Sequence, residues 1–133
     1  MLICTRGPSG SGKSTWARAF ALAHGMDVVE TDLFMVNNKG EYEFDGRKLK
    51  HAHLACQSAA RAALAAGRSV IVANTHIRLW EMDVYQQLAS EFGTSFAVKE
   101  LDGRYPNVHN VPEDIVNARR AAYEPTPESW QKL

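Results

Sequence analysis

The sequence predicts an α/β fold: a parallel sheet of about four strands with helices on both faces. Three observations predict it. A short apolar run, Met1-Leu2-Ile3-Cys4-Thr5, leads directly into a glycine-rich stretch. That stretch opens a segment in which Trp16, Ala17, Phe20, Ala21 and Leu22 alternate with Arg18 and His24, the pattern of a helix with one apolar face. Strand-like and helix-like patterns then alternate along the rest of the chain, the signature of βαβ units with right-handed crossovers.

The glycine-rich stretch carries the chemistry. Gly7-Pro8-Ser9-Gly10-Ser11-Gly12-Lys13-Ser14-Thr15 fits the pattern G-x-x-x-x-G-K-[ST]. A triphosphate concentrates negative charge, so a loop that holds it must turn backbone N–H groups inward. Glycines supply the backbone angles and the close approach. Gly7, Ser9, Gly10, Ser11, Gly12 and Thr15 are therefore expected around the phosphates of ATP. Lys13 is expected on the β- and γ-phosphates and Ser14 on Mg²⁺. The helix that starts here adds its dipole. Strand, loop and helix in this order make the fold that of a P-loop NTPase.

The 133 residues suggest one domain, with a kinase-like body over 1–125 and a loosely attached tail over 126–133 that begins after Pro125. Hydrophobic content is 45% and the formal net charge is zero, so any polyanion site must be a local patch. Cys4 and Cys56 are too few for a disulfide framework, and Cys4 reads as a small core residue. A reducing, cytoplasmic compartment is expected. No signal peptide is expected, since the first strand begins at Met1, and no apolar run approaches membrane-spanning length.

Asp27-Val28-Val29-Glu30-Thr31-Asp32 reads as the second strand, ending in a carboxylate. In a parallel sheet the strand ends line the ligand crevice. Asp32 either meets the acceptor hydroxyl there or caps the following turn. Its neighbour Glu30 could be a ligand too, but alternation within the strand points it elsewhere. Residues 33–46 are an excursion with little regular structure. A long alanine-rich helix over 47–66 stops at Gly67. Arg47, Lys48 and Lys50 in its first turns either meet an acceptor's phosphates or form a solvated face. His51 and His53, two apart, do not share a helical face.

Ser69-Val70-Ile71-Val72-Ala73 is the strongest buried strand, with Asn74, Thr75 and His76 at its crevice end. Many phosphate-loop enzymes place a Mg²⁺-associated Asp at such a strand end; here Ala73 and Asn74 stand there, so the metal is left to Ser14, Asp32, water and the phosphates. A helix over 79–92 has Trp80, Val84 and Leu88 on one stripe, which reads as core. Residues 94–101 form the fourth strand, 102–110 a loop with Arg104, and a last helix starts near Pro112. Arg104, Arg119 and Arg120 are candidates to close over the nucleotide. Adjacent helical residues face about 100° apart, so at most one of Arg119 and Arg120 is expected to point in.

These segments together resemble the polynucleotide-kinase-type branch of the P-loop kinases. They are similar to small phage kinases and to the kinase-like domain of NEDD4-binding-protein-2-like proteins. The resemblance is carried by Gly10 to Ala17, Thr31-Asp32-Leu33-Phe34, Tyr42-Glu43-Phe44-Asp45, Ala52-His53, Val70 to Thr75, Trp80-Glu81-Met82 with Tyr85, and Asn107 to Pro112. It implies a nucleotide- and Mg²⁺-binding pair at Lys13 and Ser14, a general base at Asp32, an acceptor-side strand end at Asn74 and Thr75, and a lid arginine at Arg104. The family's common Asp-Asn-Thr-Asn reads Ala73-Asn74-Thr75-His76 here. Met35 stands three positions after Asp32, where the phage end-healing kinase has an arginine.

The function expected is ATP-dependent transfer of the γ-phosphate to a hydroxyl of nucleic acid, DNA more than RNA. Catalytic roles fall to Lys13, Asp32 and Arg104, with Arg119 on the nucleotide and Asp32, Arg47, Lys48, Asn74 and Thr75 on the acceptor. The hydroxyl is either a polynucleotide 5′ end or a 5-hydroxymethyluracil within phage DNA, which would make the host cytoplasm the site of action. A small-molecule P-loop kinase and a non-catalytic nucleotide-binding module are the alternatives. The oligomeric state is not legible in the sequence.

Overall fold

A computed structural model describes residues 1–8, 10–35, 39–41, 43, 45–103 and 112–133. Its sheet has four parallel strands in the order β2-β3-β1-β4: β1 (Leu2–Arg6), β2 (Asp27–Val29), β3 (Val70–Val72) and β4 (Phe96–Glu100). β1 lies between β3 and β4, with Leu2 level with both Val70 and Phe96, and all five of its residues are buried. Burial on both faces is why Leu2, Ile3 and Cys4 read as an apolar run.

Helix α1 (Lys13–His24) packs Ala17 and Ala21 on one face of the sheet against Ile3, Ile71, Ala73 and Ala97. Helices α2 (Leu49–Ala65) and α3 (Asp83–Glu91) cover the other face, where Cys56, Ala60, Tyr85 and Leu88 meet Leu2, Cys4, Val70 and Val72. Both cysteines are buried and free. Alanine at the buried positions of α1 and α2 lets these helices lie close to the sheet. Helix α4 (Glu113–Ala122) has no buried residue and lies at the carboxyl end of the sheet, where it lines a cavity. Among the described residues no helix is long and apolar enough to cross a membrane.

Several boundaries differ from expectation for local reasons. β2 stops at Val29. Beyond it, Leu33 N–H bonds the Glu30 carbonyl and Met35 N–H the Asp32 carbonyl, which winds Thr31–Phe34 into a 3-10 turn. α2 begins two residues late because Asp45 accepts from Arg47 N–H and holds Gly46–Lys48 as a 3-10 turn. Leu79–Met82 is likewise a 3-10 turn ahead of α3. That explains the failure of the expected core stripe: Leu88 is buried, but Trp80 is 69% exposed. Trp80 precedes the α-helical turns, so the 3.6-residue period does not carry it inward.

The last residues are not loosely attached as expected. Thr126 is buried, the Trp130 ring meets Phe96 edge-on at 5.7 Å, and Val98 exchanges backbone bonds with Gln131 and Leu133 at 2.9 Å each. The segment covers the outer edge of β4, which would otherwise present unpaired backbone groups.

Candidate active site

The glycine loop lies between the ends of β1, β3 and β4. Gly7 N–H donates to the Thr75 carbonyl at 2.9 Å, and Leu101 N–H to the Arg6 carbonyl at 2.8 Å. Gly7 (φ +149°), Gly10 (+81°) and Gly12 (+97°) adopt backbone angles that side chains disfavour, and a Cβ on Gly7 would strike the Leu101 carbonyl and the Ser11 side chain. Helix α1 starts at Lys13 with no side-chain cap on its free N–H groups and no acid in its first turn. Such an uncapped start is an anion site. The buried Ser11 hydroxyl has no partner among the described residues. Ser14 is half-buried and Thr15 exposed; Ser9 lies outside the described residues.

Lys13 Nζ donates to the Pro8 carbonyl at 3.0 Å. Burial pulls its pKa down to about 8, against the upward pull of the Asp32 and Glu30 carboxylates; Arg119 and Arg120 add to the lowering. The charges of two acids and two guanidiniums are therefore felt at the lysine.

Lys13, Asp32, Asn74, Thr75 and Arg119 line one cavity of about 440 Å³. The 3-10 turn after β2 brings Asp32 there, the end of β3 brings Asn74 and Thr75, and α4 brings Arg119. Asn74 ties the pieces together. Its Oδ1 accepts from Thr31 N–H at 2.7 Å, its Nδ2 donates to Cys56 Sγ at 3.6 Å, and its carbonyl accepts from the Thr5 hydroxyl at 2.9 Å. The Thr31 hydroxyl also meets His53 Nδ1 at 3.2 Å. Arg120 points the other way, donating to the Gly103 carbonyl at 3.1 Å beside a second cavity lined by Gly7, Pro8 and Leu101. Arg104, the expected lid residue, lies outside the described residues.

The expected acceptor patch is only partly gathered. Arg47, 92% exposed in its side chain, folds back on Asp45 at 3.2 Å, and neither it nor Lys48 lines the cavities. One helical turn further in, Lys50 and His53 do. They line a side cavity of about 230 Å³ with Leu54, Trp80 and Tyr85, and it shares His53, Asn74, Thr75 and Glu81 with the main one. Trp80 was legible as an aromatic but not as an exposed one.

Arg6 escaped sequence reasoning, and His76, read only as a residue at the crevice end of β3, has a structural part that the sequence did not show. Arg6, fully buried, donates through Nε to the His76 carbonyl (2.8 Å), through Nη2 to the Ile77 carbonyl (2.9 Å) and through Nη1 to the Thr126 hydroxyl (2.7 Å). Its guanidinium also lies 4.2 Å from the centre of the Tyr123 ring. It thus clamps the strand end after β3 and the segment after α4 to the residue before the phosphate loop. His76, the one described non-glycine residue with positive φ (+43°), donates from Nδ1 to the Thr5 carbonyl at 2.7 Å. Burial lowers its pKa to about 4, so the ring is neutral at pH 7.

Glu30 corrects an expectation. Alternation does not turn it away from the site. Val28 packs on the face of α1 and Val29 on the face of α2, and Glu30 remains extended (φ −140°, ψ 139°), so its side chain returns to the face of α1. It is 3% exposed, and its Oε1 has no hydrogen-bond partner among the described residues.

Comparison with known proteins bears on the family and the fold. The AAA domain family matches residues 2–122. Human NEDD4-binding protein 2 is 30% identical over 93% of this chain, which spans only 8% of that protein's length. Chaetomium thermophilum Kti12, solved in complex with ADP-AlF3, superposes with a TM-score of 0.70 at 17% identity, over 100% of this chain and 88% of that one. A gluconokinase from Sinorhizobium meliloti superposes with a TM-score of 0.65 at 20% identity, over 99% and 79% of the two chains. The chain belongs to the AAA domain family of P-loop proteins and has the fold of a P-loop kinase.

Proposed function

We propose that the protein is an ATP-dependent kinase that transfers the γ-phosphate to a hydroxyl of nucleic acid. The observation that carries the reading is one cavity holding Lys13, Asp32 and Arg119 that continues into a side cavity with an exposed tryptophan and a lysine. Lys13 and the loop amides would take the phosphates, and Ser14 would help to hold the magnesium that accompanies ATP. When bound, that ion neutralises charge shared by the β- and γ-phosphates. Asp32 accepts the proton of the attacking hydroxyl, and Arg119 stabilises charge on the transferred group. Trp80 offers a face on which a base can stack, and Lys50 a partner for a backbone phosphate.

A second reading, phosphorylation of a small metabolite, draws on the gluconokinase likeness and on Met35. That side chain is 1% exposed, so it supplies neither charge nor surface to an acceptor phosphate. Incubation with radiolabelled ATP and a panel of single- and double-stranded DNA, hydroxymethylated DNA, RNA and metabolites separates the two. Label in nucleic acid, abolished in Lys13→Ala and reduced about 10²–10⁴-fold in kcat by Asp32→Asn, is the expected result. Label in a metabolite alone replaces the proposal with the second reading, and label in nothing leaves a nucleotide-binding module. With a DNA acceptor, neutralising Arg47, Lys48 and Lys50 should flatten the salt dependence of KM, by about one log-log unit for each DNA phosphate they neutralise.

A further inference from the structure

β3 adjoins β1, so its carboxyl end is where a P-loop enzyme ordinarily carries the aspartate that helps to hold Mg²⁺. Ala73 stands there and offers no oxygen. β2 is the next strand out, and its ladder to β3 ends at Val29 level with Val72. Ala73 N–H then donates to the Val29 carbonyl at 2.8 Å, which sets Glu30 beside Ala73. Ala73 and Glu30 face the same side of the sheet, the side of α1, whose first residues are Lys13 and Ser14.

We infer that the carboxylate of Glu30 is the magnesium-holding acid of this site, supplied from the neighbouring strand in place of the absent aspartate.

Three observations converge on it. A carboxylate that is 3% exposed is costly to bury, and one of its oxygens is left without a partner among the described residues. The charge of the carboxylate, with that of Asp32, is felt at Lys13 of the phosphate loop. Mg²⁺ takes oxygen ligands, keeps several waters and is commonly bound through one or two carboxylates plus substrate phosphates. Ser14, a bound ATP and a buried carboxylate with an open oxygen meet that requirement. Glu30 serves either directly or through an ordered water. Asp32, half-buried in the 3-10 turn, is thereby left to the acceptor hydroxyl.

This inference rests on the ATP-binding half of the proposed function and is independent of the acceptor. The test is calorimetric titration of the full chain with ATP, in excess Mg²⁺ and in EDTA. Wild type should bind more tightly with Mg²⁺. Glu30→Gln should lose about 10- to 100-fold of that gain, the range for losing a group that supports a metal. Its affinity in EDTA should be equal to wild type or tighter, because a negative charge near the phosphates has gone. Ala73→Asp added to Glu30→Gln should restore the Mg²⁺ gain by returning a carboxylate to the same face. Should Glu30→Gln not fold, Glu30→Ser, which is smaller, is read in the same way. Retention of the full Mg²⁺ gain by a folded Glu30 variant overturns the inference and leaves the kinase reading intact. Absence of any Mg²⁺ gain in wild type overturns both.

Discussion

Thr31 N–H donates to the Asn74 side-chain oxygen at 2.7 Å, across 43 residues of sequence. The bond fixes the start of the turn that carries Asp32 against the end of β3. Asn74 thus positions the turn that holds Asp32, the proposed base.

Asn74→Ala should lower kcat by about 10- to 100-fold, because a carboxylate displaced by about 1 Å no longer meets the hydroxyl in line. ATP affinity should stay within about twofold of wild type, since the phosphate loop is untouched. Asn74→Asp, which keeps the accepting oxygen, should recover part of kcat. Steady-state kinetics paired with calorimetric ATP binding read both quantities. Loss of ATP affinity in place of kcat would assign Asn74 to the nucleotide.

ATP binding should depend on pH through Lys13. Its pKa in the free protein is about 8, and bound phosphates favour the charged form. Below that value the ammonium is already present and affinity is flat on its account. Above it, a proton must be taken up on binding, so Kd should rise about tenfold per pH unit. Lys13→Arg should abolish that rise, because a guanidinium stays charged throughout. A flat wild-type profile from pH 7 to 9.5 would contradict the assigned environment of Lys13.

Stability should fall in acid through His76. Its folded pKa is about 4 against an ordinary value of 6.5. Between those values the unfolded chain binds more protons, so stability drops as pH falls through that window. The total approaches roughly 3 kcal/mol, at about 1.4 kcal/mol for each pH unit between the two pKa values. Denaturant melts from pH 7 to 4 measure it. His76→Asn, which tolerates positive φ, should be less stable at pH 7 but show a shallower acid limb.

Gly7→Ala should disable the site through the backbone. The residue sits at φ +149°, and a methyl group there meets the Leu101 carbonyl and the Ser11 side chain. We expect at least about 1–3 kcal/mol of lost stability and no measurable ATP binding. Gly67→Ala, where φ is +76° but the added methyl meets nothing within 4 Å beyond its chain neighbours, should lose stability alone. Thermal melts and ATP titration of both variants make the comparison.

The sheet, the phosphate loop and the chemical type of the site were legible in the chain itself, because those features are encoded locally. A buried parallel strand is mostly apolar, and a loop that wraps phosphate favours glycine where φ is positive. The motif at Gly7 to Ser14 and the runs at Met1 to Thr5 and Ser69 to Ala73 therefore announce themselves. Which polar side chains converge was settled by the folded arrangement. Arg47 and Lys48 looked like the acceptor patch, yet they lie outside the cavity because Asp45 captures the arginine and starts a 3-10 turn ahead of α2. Trp80 fitted a core stripe and is exposed because its turn is 3-10 and not α. Strand alternation pointed Glu30 away from the site, but whether a strand-end side chain reaches the crevice depends on register with its neighbour and on the helix covering that face. Arg6 reads as the last residue before a loop, and nothing local shows that its guanidinium finds carbonyls 70 residues away. Convergence of this kind depends on strand order, register and turn type, and those are set by contacts between residues far apart in the chain.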